Sequence, residues 1–177
     1  MTIRWKIRPE GSTWGDWGED DQRGRMNLVT PDRVKAAVAE VKDGRSFCLS
    51  MPLDLPGGNA ANPKRHPPEF KPVYVGDDVY FNYLWDPHIP GDMDVSCDDA
   101  VTLYSQYSTQ WDSLCHIGSQ FDTEGDGDVS PVYYNGYRPG VHVGGMPGDG
   151  KMGARALGIE NMAETCVQGR GVMVNLH

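Results

Sequence analysis

The chain is short of positive charge: 16 Lys and Arg stand against 25 Asp and Glu, giving a formal net charge of −9 over 177 residues. The cations are scattered, which argues against nucleic acid or an anionic membrane surface as a partner, because phosphate contact depends on clustered Lys and Arg. Long apolar runs are also missing, and nothing approaches the roughly 18 apolar residues that a membrane span requires. The first residues carry Arg4, Lys6 and Arg8 without the apolar stretch of a secretory leader. Cysteine is sparse. Cys48, Cys97, Cys115 and Cys166 are far apart and form no CxxC pair, a pattern that favours reduced, mostly buried thiols and a cytoplasmic protein. Internal repeats and low-complexity tracts are absent.

What is present reads as one domain with an N-terminal arm. A chain of this length can bury roughly 70% of its unfolded surface, enough for a core. Residues 1–29 hold Trp5, Trp14, Trp17 and the acidic run Glu19, Asp20, Asp21 without a sustained period. Tryptophans are costly to leave in water, so this arm is expected to pack across its own domain or a partner subunit. The domain proper, 30–177, opens with Thr30 as helix cap and Pro31 at the first helical position. Val34, Ala37, Val38 and Val41 follow at the spacing of one buried face, and Gly44 is a stop.

Phe47, Leu49, Met51 and Leu53 alternate as in a half-buried strand, with Pro52 placing part of it at an edge. Residues 54–72, rich in Pro and Gly, read as a long loop, either a binding loop or disordered, with His66 solvated. Residues 73–85 return to β character, His88 is an ordinary turn histidine, and 100–104 form a second strand. Ile159, Met162, Ala163 and Cys166 mark another helical stripe. Val172, Met173, Val174 and Leu176 read as a strand buried on both faces. The architecture expected is mixed α/β, a β core with a few covering helices.

The chemistry concentrates in QYSTQWDSLCH, residues 106–116. Gln106, Gln110, Asp112 and His116 share one parity, so a largely extended backbone would aim all of them to one side, and a bend at Ser108 or Ser113 would close them around a point. Asp supplies the anionic oxygen that a divalent cation needs, His a nitrogen or proton acceptor, and each Gln a carbonyl oxygen without charge. That is the layout of a metal-centred hydrolytic site; the competing reading is that Gln is simply a common strand or loop residue. Trp111 is either a wall for an unsaturated substrate ring or core. Cys115 adjoins His116 but should point away from it, so a Cys-His nucleophilic pair is not expected. The run from Asp122 to Gly127 starts like a calcium loop but has Tyr133 where the bidentate Glu belongs, and reads as an acidic turn. His142, in a Gly-rich loop downstream of Tyr133, Tyr134 and Tyr137, is a candidate to bind a substrate carboxylate or carbonyl, or an ordinary loop histidine.

The motif resembles the signature H-x-G-T-H-x-D-x-P-x-H of the metal-dependent cyclase/hydrolase family that includes bacterial kynurenine formamidase and isatin hydrolase. Thr109, Asp112 and His116 match it. Gln106 and Gln110 replace the two ligand histidines, Ser108 replaces the Gly and Leu114 the Pro, a Q-x-x-x-Q-x-D-x-x-x-H pattern similar to the trans-dienelactone hydrolase branch. GRMNLVTPDR (24–33), residues 46–54, YNGY (134–137), LGIE (157–160) and GRGV (169–172) extend the resemblance over most of 14–177.

The resemblance implies a swivelling β/β/α-like fold of which only the first half is present. It implies a divalent metal, zinc first and manganese as alternative, on Gln106, Gln110 and Asp112, with His116 as general base. Trp111 and His142 are then the substrate-binding candidates. The function expected is hydrolysis of a cyclic or conjugated ester or amide by a metal-activated water, with a dienelactone-like lactone as first choice and cyclic amides or N-formyl aromatic amines behind. The alternative is a non-catalytic binding or oligomerisation module without a working metal site. Small-molecule substrate apart, the partners expected are further copies of the chain or a companion C-terminal polypeptide, since an apolar terminal strand would otherwise leave a sheet edge open.

Overall fold

The computed structural model describes residues 3–145 and 148–176; Met1, Thr2, Met146, Pro147 and His177 lie outside the described residues. The chain divides into two compact units, Met1–Arg45 with Trp111–His177, and Ser46–Gln110. Its class is mixed α/β, built mostly of small antiparallel sheets with few helices.

In the Ser46–Gln110 unit, β1 (Glu69–Pro72) pairs antiparallel with β6 (Asp99–Thr102), with Phe70 opposite Val101 and Lys71 opposite Ala100. Between them lie two hairpin-like pairs, β2 (Tyr74–Val75) with β3 (Asp78–Val79) and β4 (Tyr83–Leu84) with β5 (Val95–Ser96). Gly76, at φ +62, supplies the left-handed conformation that a two-residue hairpin loop needs at its first position. Tyr80, Tyr83 and Trp85 cluster with ring centroids 5.1 to 6.1 Å apart, and the Trp85 indole donates to Ser96 Oγ at 2.8 Å. The aromatic β character of 73–85 is thus realised as short pieces rather than one strand.

The alternating stretch 47–53 forms no strand: residues 46–52 have no regular structure, and Phe47 and Leu49 are 75% and 79% exposed. Period-two patterning states which face would be buried, but a strand exists only where a neighbouring ladder takes up its backbone groups.

In the other unit the arm does pack on its own unit. Trp14 is buried, edge-on to Trp5 at 5.6 Å and to Phe121 at 6.2 Å. The fastening point is Asn135, fully buried, in the left-handed region at φ 53, ψ 29. Its Oδ1 accepts from Gly15 N at 2.8 Å, its Nδ2 donates to Gly18 O and Asp21 O at 3.1 and 2.9 Å, and its carbonyl accepts from Arg4 Nε at 3.0 Å. On either side Tyr134 donates to Asp21 Oδ2 at 2.8 Å and Tyr137 to Asp20 O at 3.1 Å. Burial, then the Asp21 carboxylate, push the Tyr134 phenol far up, so it stays a donor.

Thr30 Oγ1 accepts from Arg33 N and Pro31 opens α1 (Pro31–Val38), as the capping pattern predicts. The helix ends sooner than Gly44. Glu40 N and Val41 N bond three residues back, to Ala37 O and Val38 O, tightening the last turn, and Val38 and Val41 are exposed. β7 (Ser119–Phe121) and β8 (Ser130–Val132) form an antiparallel pair beside a small core of Tyr137, Ala156 and Leu157, against which Leu114, Cys115, Tyr133 and Tyr134 pack. α2 (Glu160–Ala163) realises one turn of the second helical stripe. Residues 171–176 form no strand, and Met173 and Leu176 are exposed; their apolar run corrects to an uncovered segment, for the reason given for 47–53.

Replacing Asn135 by Ala removes three side-chain hydrogen bonds and places a β-carbon residue with no local polar group in a left-handed conformation. The variant is expected to lose roughly 3 kcal/mol or more of stability. Asn135→Gly, which accepts the backbone angles but makes none of the bonds, should recover only part of that. Urea unfolding of the three proteins measures it, and a loss below about 1 kcal/mol for Asn135→Ala would remove the residue from its central role.

Candidate functional site

After β6 the chain does not run extended through the motif. It turns at Ser105 and Gln106, with Tyr107 N donating to Tyr104 O at 2.9 Å and the Tyr107 side chain buried. Ser108 is clamped to the preceding loop by a bridge to Pro56, and its Oγ donates to Pro52 O at 3.2 Å and Leu55 O at 2.5 Å. A second turn follows where His116 N donates to Ser113 O at 3.0 Å. The bend expected at Ser108 or Ser113 is realised as a turn that begins at Ser113 and an earlier one at Ser105–Gln106, with Ser108 itself in a bridge, and the extended geometry expected to align the four side chains is corrected to a double turn. The physical reason is local: loop carbonyls compete for the Ser108 hydroxyl, and short polar side chains favour turns over ladders.

The first turn brings the two glutamines together. Gln110 Nε2 donates to Gln106 Oε1 at 2.7 Å, so both amides occupy one spot at the end of the Ser46–Gln110 unit. Reaching this site, Gly58 lies so close that a β-carbon on it would sit 2.6 Å from Gln106 O, and Arg65 Nη1 donates to the same carbonyl at 3.2 Å. Neither Gly58 nor Arg65 was singled out from sequence. The Gly57-Gly58 pair inside a long loop was the available signal, since a glycine in such a place often marks close backbone approach.

The unit boundary falls between Gln110 and Trp111, and the rest of the motif belongs to the other unit. There Leu114 and Cys115 pack on the core, Cys115 N donates to Leu157 O at 3.3 Å, and Ser113 Oγ lies 2.9 Å from Cys115 Sγ. Asp112 and His116, by contrast, are exposed. Trp111 is 67% exposed and is not part of the core. All four cysteines are free; Cys48, Cys97 and Cys166 are exposed rather than buried, because the segments carrying them lie uncovered.

His142 is fastened into its loop. Its Nδ1 accepts from Arg138 N at 3.0 Å, its carbonyl accepts from Arg155 N and Ala156 N at 2.8 and 3.1 Å, and its ring meets Tyr137 edge-on at 5.0 Å. The accepted bond places the neutral ring's proton on Nε2. Burial, and then the nearby Arg4 guanidinium, hold its pKa below the ordinary 6.5. In the turn at 122–128, the Asp122 carboxylate accepts from Glu124, Gly125 and Gly127 amides at 3.0, 2.6 and 2.7 Å. Chiefly the Gly127 bond lowers its pKa. Those contacts are those of a self-capped acidic turn.

Do these residues fit a metal ion? Among the described residues no group of three or more His, Cys, Asp or Glu is gathered in a way that could hold one. The amide pair is the remaining place. Gln106 Oε1 is taken up as the acceptor of this pair, and each amide side chain carries an oxygen that could serve a cation once the pair opens. Asp112 follows Gln110 by two residues, which covalent geometry limits to roughly 7 Å between Cα atoms. As residue types, amide oxygens and a carboxylate are hard donors of the kind that a divalent cation takes, and the structure brings together the two amides.

Comparison with known proteins bears on the fold. No protein-family profile matches the sequence, and no curated protein does. Among solved structures, a chain described as a novel cyclase matches with 32% identity and a TM-score of 0.57, over 85% of this chain and 44% of that one. The chain thus spans less than half the length of that cyclase. The similarity supports a relation to the cyclase family and a cyclase-like mixed α/β fold. No helix among the described residues is long and apolar enough to cross a membrane.

The His142 environment predicts acid sensitivity with a definite sign. With the folded-state pKa lowered from 6.5, its contribution to stability is complete above about pH 6.5. It is lost as pH falls, because the unfolded chain takes up the proton first. His142→Asn should flatten the dependence of the urea midpoint on pH between about 7 and 5, and identical slopes in the two proteins would contradict it.

Proposed function

We propose that the chain carries a metal-dependent hydrolase site, with Gln106, Gln110 and Asp112 as ligands of zinc or manganese. Its substrate is a cyclic or conjugated ester or amide, a dienelactone-like lactone first. The observation that carries this reading is the pairing of the two motif amides at 2.7 Å within a cyclase-like fold. When bound, the cation supplies Lewis-acid polarisation of a carbonyl and makes water a stronger acid. The chain's own residues do the rest. Asp112 provides the negative charge that draws the cation, the amides provide neutral oxygen, and the exposed imidazole of His116 takes a proton from water and returns it to the leaving group. Trp111 offers an exposed aromatic face to a conjugated substrate. Free thiols agree with a cytoplasmic setting.

A second reading draws on the same contact. The Gln106–Gln110 hydrogen bond joins the two amides to each other without a cation, as expected of a cyclase-fold binding or oligomerisation module. Elemental analysis of the purified protein before and after dialysis against a chelator separates the two: stoichiometric zinc or manganese supports the hydrolase, and a folded protein that takes up neither supports the module.

Asp112 is the only acidic residue between Gln106 and His116, so Asp112→Ala should abolish metal uptake and hydrolysis together. Full metal content in that variant would refute the ligand set. His116→Ala should keep most of the metal while turnover drops by roughly 10²–10⁴, the usual contribution of a positioned acid–base group. Equal metal loss in both variants would instead make His116 a ligand.

A further inference from the structure

Within the Ser46–Gln110 unit a cavity of about 420 Å³ opens beside Gln106, lined among others by Asn62, Lys64, Arg65 and Tyr104. It is a shallow groove open to solvent, of a size that admits a small molecule. The wall is held by specific contacts. Asn62 N donates to Gly58 O at 3.1 Å, Arg65 N to Asn62 O at 3.0 Å, and Lys64 N to Asn62 Oδ1 at 3.0 Å, which turns the chain sharply at Asn62. Arg65 reaches Gln106 O, and His66 stands edge-on to Tyr104 with centroids 5.2 Å apart.

The charge here runs against that of the molecule. In a chain of net charge −9, two adjacent cations face one cavity, and among the described residues no carboxylate forms an ion pair with Lys64 or Arg65. Arg65 is only partly exposed and places one guanidinium N–H on a backbone carbonyl. A guanidinium has five N–H donors in a fork that matches a carboxylate. A lysine beside it adds a mobile point charge. The neighbouring amides of Gln106 and Gln110 are neutral and do not quench this field.

We propose that Lys64 and Arg65 form a carboxylate-binding subsite beside Gln106, which selects small compounds that carry a carboxylate over their neutral analogues. The word substrate for such a compound rests on the hydrolase reading above; the binding does not. Arg65 fixes the orientation of the carboxylate and Lys64 steers it in, while the Tyr104 ring lines the same groove.

The test uses sorbate (hexa-2,4-dienoate) and its neutral methyl ester, a matched pair that the proposed chemistry does not turn over in the acid form. Ligand-observed NMR titration of the 177-residue chain, without added metal, reads binding alone. Sorbate should bind at least roughly tenfold more tightly than the ester, as charge-assisted hydrogen bonds imply, and the preference should shrink as salt is raised. Lys64→Gln and Arg65→Gln should each lower the preference several-fold. Arg65→Gln also removes the bond to Gln106 O, so if that variant unfolds, Lys64→Gln carries the test, because the Asn62 bond it retains is made by its backbone. Equal affinity for acid and ester, or an unchanged preference in folded Lys64→Gln, overturns the subsite. Failure of the hydrolase reading would be seen elsewhere, as absent metal uptake with sorbate binding intact; bound metal without acid preference sinks the subsite alone.

Discussion

The Met1–Arg45 and Trp111–His177 unit depends on one buried amide. Asn135 occupies a left-handed conformation with no exposed surface; its side chain satisfies backbone groups of Gly15, Gly18 and Asp21, and its carbonyl accepts from the Arg4 guanidinium. An arm with little regular structure has few ladders of its own, so its amides and carbonyls need partners elsewhere. Asparagine suits the task because it is one of the few residues that tolerates the left-handed region, and its amide both donates and accepts. The flanking tyrosines extend the clasp to Asp20 and Asp21, and Arg4 stacks 3.9 Å over Tyr137. The apolar part of the core is small. Trp14, Val132, Tyr137, Ala156 and Leu157 are its buried members among the described residues, so polar satisfaction carries a large share of the specificity.

The same economy shapes the surroundings of Gln106. No ladder holds the turn that presents it. A glycine admits the loop to within contact of the Gln106 carbonyl, Ser108 ties to the loop at Pro52 and Leu55, and Arg65 closes the arrangement from the far side. Loop and motif are therefore one structural piece, and the loop's composition decides what chemistry the amides meet.

The exposed apolar segments follow from a distinction between pattern and partner. Phe47 and Leu49, and Val172, Met173 and Val174, have the composition of strands and the exposure of loops. Two-stranded pairs such as β1 with β6 are marginal by themselves and gain stability when a third strand or a helix covers a face. The patterning records a face fit for burial; the coordinates show that nothing among the described residues buries it.

The sequence by itself determined what depends on neighbours along the chain. The Thr30 and Pro31 start of α1 follows from capping chemistry, the strand expected at 100–104 and formed at 99–102 from alternation, and the acidic turn after Asp122 from residues that bond their own backbone. The motif's residue types also stood out, because Gln, Asp and His at fixed spacing are a chemical statement. Only tertiary structure decided the rest. The double turn through the motif depends on Ser108 finding carbonyls more than fifty residues earlier, and the hub role of Asn135 on backbone groups more than a hundred residues away. Arg65 and Gly58 acquire meaning only once the loop lies against Gln106. Contacts of that separation leave no periodic trace in a sequence, since loop closure costs entropy that depends weakly on length and not on any local pattern of residues.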